Sequence, residues 1–188
     1  MNIETTQSNL TFSKVALSSW GVLGVVMLIA NALQRLFPVA LQPLIQKDLT
    51  TEQVLIYIAW TLYMIYVEGY KAFHLKFSPF VVRRSLTLTD NPTFLKSLLA
   101  GPYCMGLFSA TKKRMILSWS LMIGVFALVK VVKLLPYPWR SIVDAGVVCG
   151  LSVGTISIIY HYILALLGRV PSIDPDLPVL DPPVKHKE

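Results

Sequence analysis

The sequence predicts an all-α integral membrane protein with four transmembrane helices and an interfacial or re-entrant helix in the loop between the second and third spans. Apolar residues make up 54% of the 188 residues and charged residues only 14%, whereas soluble domains carry about 25% charged residues. Four apolar segments are near or above the ~20 residues that cross a bilayer. The chain is also basic, with a net charge of +7, as expected when positive charge lies on the loops.

The elements follow one another in a simple order. Residues 1–14 form a polar tail, and residues 169–188, which include five prolines, are predicted to be a disordered, Pro-rich tail. Between them lies a membrane domain over residues 15–168. At 1.5 Å per residue, each apolar segment can cross a hydrocarbon layer of ~30 Å. The predicted spans lie at about 15–37, 54–77, 113–135 and 140–167.

Basic residues are unevenly distributed, and this asymmetry predicts the orientation. The stretch from Lys71 to Arg114 holds eight of the 17 basic residues and a single acid, Asp90. The positive-inside rule places this loop in the cytoplasm. With four crossings, both termini are then cytoplasmic, and we expect a bacterial inner (plasma) membrane as the location.

The same loop contains a further predicted helix at about 92–108. Asp90-Asn91-Pro92 is typical of a helix start, with a capping side chain ahead of a proline in the first turn. Gly101-Pro102 is expected to interrupt the helix, and the apolar sequence then continues to Phe108. Because this stretch is too short to span a bilayer, it predicts an interfacial or shallow re-entrant helix.

Basic side chains in and around this loop are predicted to contact anionic lipid head groups or a partner protein rather than nucleic acid. Phenylalanines are interspersed with them, which favours the surface of the inner leaflet. The predicted contact residues are Lys76, Arg83, Arg84, Lys96, Lys112, Lys113 and Arg114.

Three glycines recur at every fourth position of the fourth span, at Gly146, Gly150 and Gly154. This spacing places them on one helix face, where another backbone can approach closely. The face either packs inside this protein's own bundle or contacts a partner subunit or a second copy. The pattern predicts close packing and indicates no chemistry.

Glu68 is the acidic residue that lies deepest in a predicted span. Intramembrane carboxylates are costly and are functional candidates for that reason. The structural alternative is an ion pair with Lys71, three residues later on the same helix. At the outer start of the fourth span, Arg140 and Asp144 are expected to form a local ion pair at i,i+4 spacing.

Two histidines are predicted to face inward at a similar depth, His74 in the second span and His161 in the fourth. Together they are candidate ligands for a metal or a b-type haem. The alternative is a hydrogen-bonded interfacial histidine beside Tyr160 and Tyr162. The remaining histidine, His186, lies in the C-terminal tail.

No P-loop, GxGxxG, HExxH or GxSxG motif is present in the sequence, and no Cys-pair zinc site is present either. We therefore expect a non-catalytic accessory, scaffold or assembly subunit of a membrane complex, with no cofactor, whose partners are lipids and another membrane subunit or itself through the fourth span. One alternative is a small membrane enzyme or carrier for a quinone or a lipid, using Glu68 and His161. Another alternative is a haem-binding electron-transfer subunit.

Overall fold

The computed structural model describes residues 12–90 and 93–178, and within these residues the chain is helical with no strand. Three helices are long and apolar enough to cross a membrane. They are α1 (Phe12–Gln46), α6 (Lys112–Val132) and α7 (Trp139–Leu166). The predicted all-helical class is therefore confirmed. The predicted tail segments 1–11 and 179–188, including His186, lie outside the described residues.

Helix α1 is longer than the sequence predicts. The expected end at Phe37 is wrong, because the helix continues through Pro38 and Pro43 to Gln46. Ala40 and Pro43 are buried in this extension, and Tyr57 donates a 3.1 Å hydrogen bond to the Ala40 carbonyl oxygen. Packing against neighbouring helices thus offsets the hydrogen bonds that the prolines remove.

The predicted second span, at about 54–77, lies within a longer stretch of continuous helix, residues 51–87. We call this stretch the second rod, because it follows α1 in the chain. It consists of α2 (Thr51–Met64), a π-helical segment (Ile65–Phe77) and α3 (Ser78–Thr87). A capping box starts it, since Thr50 Oγ1 accepts from the Gln53 amide and Gln53 Oε1 accepts from the Thr50 amide. A π-helical segment of 13 residues is unusual, because π-helices mostly occur as single turns, frequently at functional sites.

Helix α7 is the centre of the bundle. Along most of its length it packs against α1 and against all three parts of the second rod. Two buried clusters hold these helices together. The larger joins α1, the end of α3, residues 100–104 of the loop and α7 through Val22, Val25, Val81, Leu88, Ala100, Tyr103, Cys104 and Ile158, and the smaller joins α1 and α7 through Ala40, Ala145 and Val148.

The single loop helix predicted at about 92–108 is instead two short helices, α4 (Phe94–Leu98) and α5 (Ala100–Cys104). Leu99 separates them with a non-helical backbone, so the break precedes Gly101-Pro102 rather than coinciding with it. Residues 91 and 92, on which the predicted cap partly depends, lie outside the described residues. Helix α5 lies directly on α1, and a Cβ on Gly101 would come within 3.2 Å of the Gly24 backbone.

Helix α6 stands apart from the bundle. Only Ser118 and Val132 are buried along it, and in the described part of the chain it makes no extended contact with another helix. Its first turns are attached to the preceding loop, where Ser118 donates to the Met105 carbonyl and Trp119 donates to the Leu107 carbonyl. It ends at Val132, three residues before the predicted end.

The first part of the predicted disordered tail, residues 169–178, packs against the loop. The Thr111 amide donates a 2.8 Å hydrogen bond to the Asp176 carbonyl oxygen, and Arg84 Nη1 donates to the Pro175 carbonyl oxygen. The carbonyls of Pro175 and Asp176 thus satisfy donors of α3 and of the loop.

Candidate polar site between the second rod and helix α7

The glycine face of α7 is covered by the second rod. A Cβ on Gly146 would lie 2.5 Å from Trp60 Nε1, and one on Gly154 would lie 2.5 Å from Phe73. Gly150 lies under Glu68, where a Cβ would come within 2.7 Å of Oε2. All three glycines therefore permit close packing inside this chain. Because the face is occupied in this way, a partner subunit or second copy cannot bind it without displacing the second rod.

Glu68 is half-buried against Gly150, and its Oε2 has no hydrogen-bond partner among the described residues. The expected ion pair with Lys71 does not form, since Lys71 Nζ lies 5.0 Å from the centre of the Tyr66 ring. The wider turn of the π-helical segment changes which side chains share a face, so residues three apart are no longer neighbours. At the other end of α7, the expected Arg140–Asp144 ion pair is present, with 3.6 Å between Nε and Oδ2.

His74 and His161 meet at Ser157, and we call these three residues the polar cluster. His74 Nδ1 lies 2.8 Å from Ser157 Oγ, and the two imidazole ring centres are 4.8 Å apart. His161 Nδ1 lies 2.9 Å from the Ser157 carbonyl oxygen and 3.4 Å from its hydroxyl oxygen. The π-helical segment contributes His74, while α7 contributes the other two residues one turn apart.

Aromatic rings surround the polar cluster. The Tyr70 ring is stacked on His74 with 5.6 Å between centres, and the Tyr160 ring lies 6.0 Å away from it. A cleft of about 280 Å³ opens beside them. The lining residues are Tyr70, His74, Val153, Ile156, Ser157 and Tyr160.

The structure brings together the two histidines but not Glu68 and His161. Glu68 lies at Gly150, which precedes His161 by eleven residues, or about 16 Å along α7. The two groups therefore do not form a joint proton-handling pair. Sequence reasoning missed Ser157, although its i,i+4 spacing to His161 is a detectable signal.

The geometry of the histidine pair also bears on the metal and haem alternatives. A haem held between two axial histidines needs space for the macrocycle between the rings, and ring centres 4.8 Å apart leave none. No group of three or more His, Cys, Asp or Glu side chains suited to a metal occurs in the part of the chain that the structure describes. The pair is thus arranged for hydrogen bonding through Ser157.

The predicted lipid-contact residues are exposed, half-buried or, in the case of Arg84, completely buried. Lys76, Lys112 and Lys113 are exposed, as expected for a surface that contacts head groups or a partner. Lys96 is half-buried with its Nζ 5.9 Å from the Tyr103 ring centre. Arg83 and Arg114 are half-buried, and the Arg114 guanidinium lies 3.6 Å from the centre of the Phe80 ring.

Arg84 differs from the other predicted lipid-contact residues because it is completely buried. Its Nε donates to the Tyr103 carbonyl at 2.7 Å, and Nη2 donates to the carbonyls of Phe108 and Ser109. With Nη1 bound to Pro175, the guanidinium binds four backbone carbonyls. The prediction of lipid contact is wrong for Arg84, because the fork of donors is used inside the protein to hold loop and tail together.

No family model, no curated protein and no solved structure matches this chain.

Proposed function

We propose that this protein is a non-catalytic accessory or assembly subunit of a membrane complex, and that α6 is the element that binds the partner. Side chains all around α6 are exposed, including Ile116, Leu121 and Phe126. Because α6 makes no extended contact with another helix in the described part of the chain, its van der Waals surface is available to another transmembrane helix. Gly124 supports this role, since nothing lies within 4 Å of where its Cβ would be and a partner backbone can approach closely there.

The proposed topology has four crossings, with the second rod as the fourth membrane-spanning element and both termini in the cytoplasm of a bacterial inner membrane. The exposed lysines near the α3 end of the rod and at the start of α6 support this orientation. Helix α5 would then be re-entrant, because Gly24, on which it lies, is about 14 Å along α1 from Val15.

Site-specific photocrosslinking in the native membrane tests the proposed function. A photoreactive residue is placed at Leu121 or Phe126 on α6, and at Met27, which is 64% exposed on α1, as a matched control. The proposal predicts one defined protein adduct from the α6 positions and only lipid adducts from Met27. Lipid adducts alone from all three positions would show that α6 is an ordinary lipid-facing span and would overturn the proposal.

The topology is tested separately with membrane-impermeant maleimide on single-cysteine variants. Replacing Lys113 should give labelling only after the inner face is exposed, whereas replacing Lys47, in the α1–α2 connection, should give labelling in intact cells. The reverse pattern would invert the orientation, and labelling of both positions from one side would reduce the number of crossings.

A further inference from the structure

The hydrogen-bond capacities of the polar cluster determine where its protons lie. A backbone carbonyl only accepts, so His161 Nδ1 carries the proton that it donates to the Ser157 carbonyl oxygen. The same His161 N–H is shared with Ser157 Oγ at the longer distance of 3.4 Å. The Ser157 hydroxyl donates its own proton to His74 Nδ1. Neutral His74 then carries its proton on Nε2, while neutral His161 has a lone pair on Nε2. The cluster therefore offers both a donor and an acceptor.

The cleft beside the cluster has the polarity of a site for one small uncharged ring. It is shallow and open, and its volume of about 280 Å³ lies just below the ~300–1,000 Å³ typical of small-molecule sites. Tyr70 and Tyr160 provide aromatic surfaces that can stack on a planar ligand. Asp, Glu, Lys and Arg are all missing from the described residues that line the cleft, so an uncharged ligand fits better than a phosphate-bearing head group.

The depth of the cleft indicates how such a ligand arrives. With the second rod crossing as proposed, His74 is at most about 30 Å from Val54 and lies near the inner boundary of the hydrocarbon layer. Ile156 lines the cleft and is 67% exposed, so with the proposed crossing its side chain faces lipid. A ligand dissolved in the bilayer can therefore enter laterally, with its ring at the polar cluster and its apolar tail in lipid.

We infer that this cleft binds the head group of a lipid-soluble quinone. The ring carbonyls of a quinone accept hydrogen bonds, which His74 can donate, and the ring itself is planar and uncharged. The cleft binds the quinone without electron transfer. Because the cleft is formed entirely within this chain, quinone binding does not depend on the partner-binding role of α6.

The test uses the full chain in lipid nanodiscs, with a photoreactive azidoquinone as probe and decylubiquinone as competitor. We expect saturable labelling of the peptides that contain residues 70–74 or 153–160, and its loss when the competitor is added. Decanol, which has the chain without the ring, should not compete. Labelling that does not saturate, or that is equally strong on the lipid-exposed α6, would overturn the inference.

Cleft variants identify the groups responsible. His74→Phe removes the donor, and Ser157→Ala removes the hydroxyl that orients it; each should weaken probe binding about tenfold, which corresponds to about 1.4 kcal/mol. Ser118→Ala, at the start of α6, is the matched control and should leave binding unchanged. Equal binding by both cleft variants and the wild type would contradict a site at the polar cluster.

Because Ser157 is buried, Ser157→Ala can also weaken binding by destabilising the fold. A variant at an exposed position separates the two effects. Ile156→Trp fills the cleft from its lipid side and should abolish labelling, while Ile159→Trp, one turn away and outside the cleft lining, should not. Retained labelling in Ile156→Trp would overturn the inference. Added haem provides the last comparison, because a Soret band together with displacement of the probe would assign the cleft to a tetrapyrrole instead.

Discussion

Arg84 Nη1 donates a 2.8 Å hydrogen bond to the Pro175 carbonyl oxygen, which joins the α3 end of the second rod to the C-terminal segment. No carboxylate among the described residues forms an ion pair with Arg84. Its charge is stabilised instead by four carbonyl dipoles and by the Tyr103 ring, whose centre lies 4.3 Å from Cζ. This one side chain therefore determines how the loop and the tail are arranged.

Arg84→Lys should destabilise the protein by about 2–4 kcal/mol, because an ammonium group cannot replace the planar fork and leaves buried carbonyls without donors. Denaturant unfolding in detergent measures the loss. Hydrogen exchange should also become faster in residues 169–178. Arg83→Lys is the matched control, since Arg83 is only half-buried, and it should change neither quantity. Equal stability of the two variants would contradict the role assigned to Arg84.

Gly150→Leu should prevent correct packing of the second rod on α7, because even a Cβ at this position lies 2.7 Å from Glu68 Oε2. We expect a loss of at least about 3 kcal/mol, seen as aggregation or a lower Tm in detergent. Gly124→Leu is the control, since the space around it is open. Its fold should survive while crosslinking of α6 to a partner is lost. An intact fold in Gly150→Leu would show that the glycine face is not packed internally.

Glu68 and Gly150 should be energetically coupled. In a double-mutant cycle, Gly150→Ala alone should cost about 1–3 kcal/mol by overpacking. Glu68→Ala should recover roughly 1 kcal/mol of that loss, because the carboxylate that meets the new methyl group is gone. The cost is not recovered in full, since the remaining Cβ of residue 68 would still lie 3.1 Å from the new methyl group. Additive effects of the two changes would contradict direct contact.

Cys104 reports on the docking of α5. Burial raises the pKa of the Cys104 thiol to about 12, against the opposing effect of Arg84, so the reactive thiolate is scarce at neutral pH. Gly24→Leu should separate α5 from α1, since a Cβ at Gly24 already lies 3.1 Å from Gly101. The thiol is then no longer packed against α1, and labelling by a membrane-permeant maleimide should become at least about tenfold faster.

The labelling is measured in a Cys149→Ala background, so that only Cys104 reacts. Equal labelling rates in the variant and the parent would mean that α5 stays docked without this close approach.

Composition and the lengths of apolar runs were sufficient to predict the helical class and the positions of α6 and α7. The spacing of the glycines was sufficient to predict a closely packed face on α7. These properties depend on local hydrophobicity and on 3.6-residue periodicity, which a linear sequence records directly. Local rules failed at Pro38, where the expected helix end did not occur. Burial of Ala40 and Pro43 against distant residues sustains the helix there, and such contacts are not visible in sequence.

By itself, the sequence determined that most of this chain is helical and apolar, that its positive charge is concentrated in one loop and that α7 has a face for close packing. Only the tertiary structure decided that the second rod fills that face, that Arg84 points inward and that His74 meets His161 at Ser157. His74 is separated from Ser157 by 83 positions in the chain and from His161 by 87 positions, so only folding brings these residues together. The π-helical segment adds a further reason, because its wider turn changes the face on which each side chain lies.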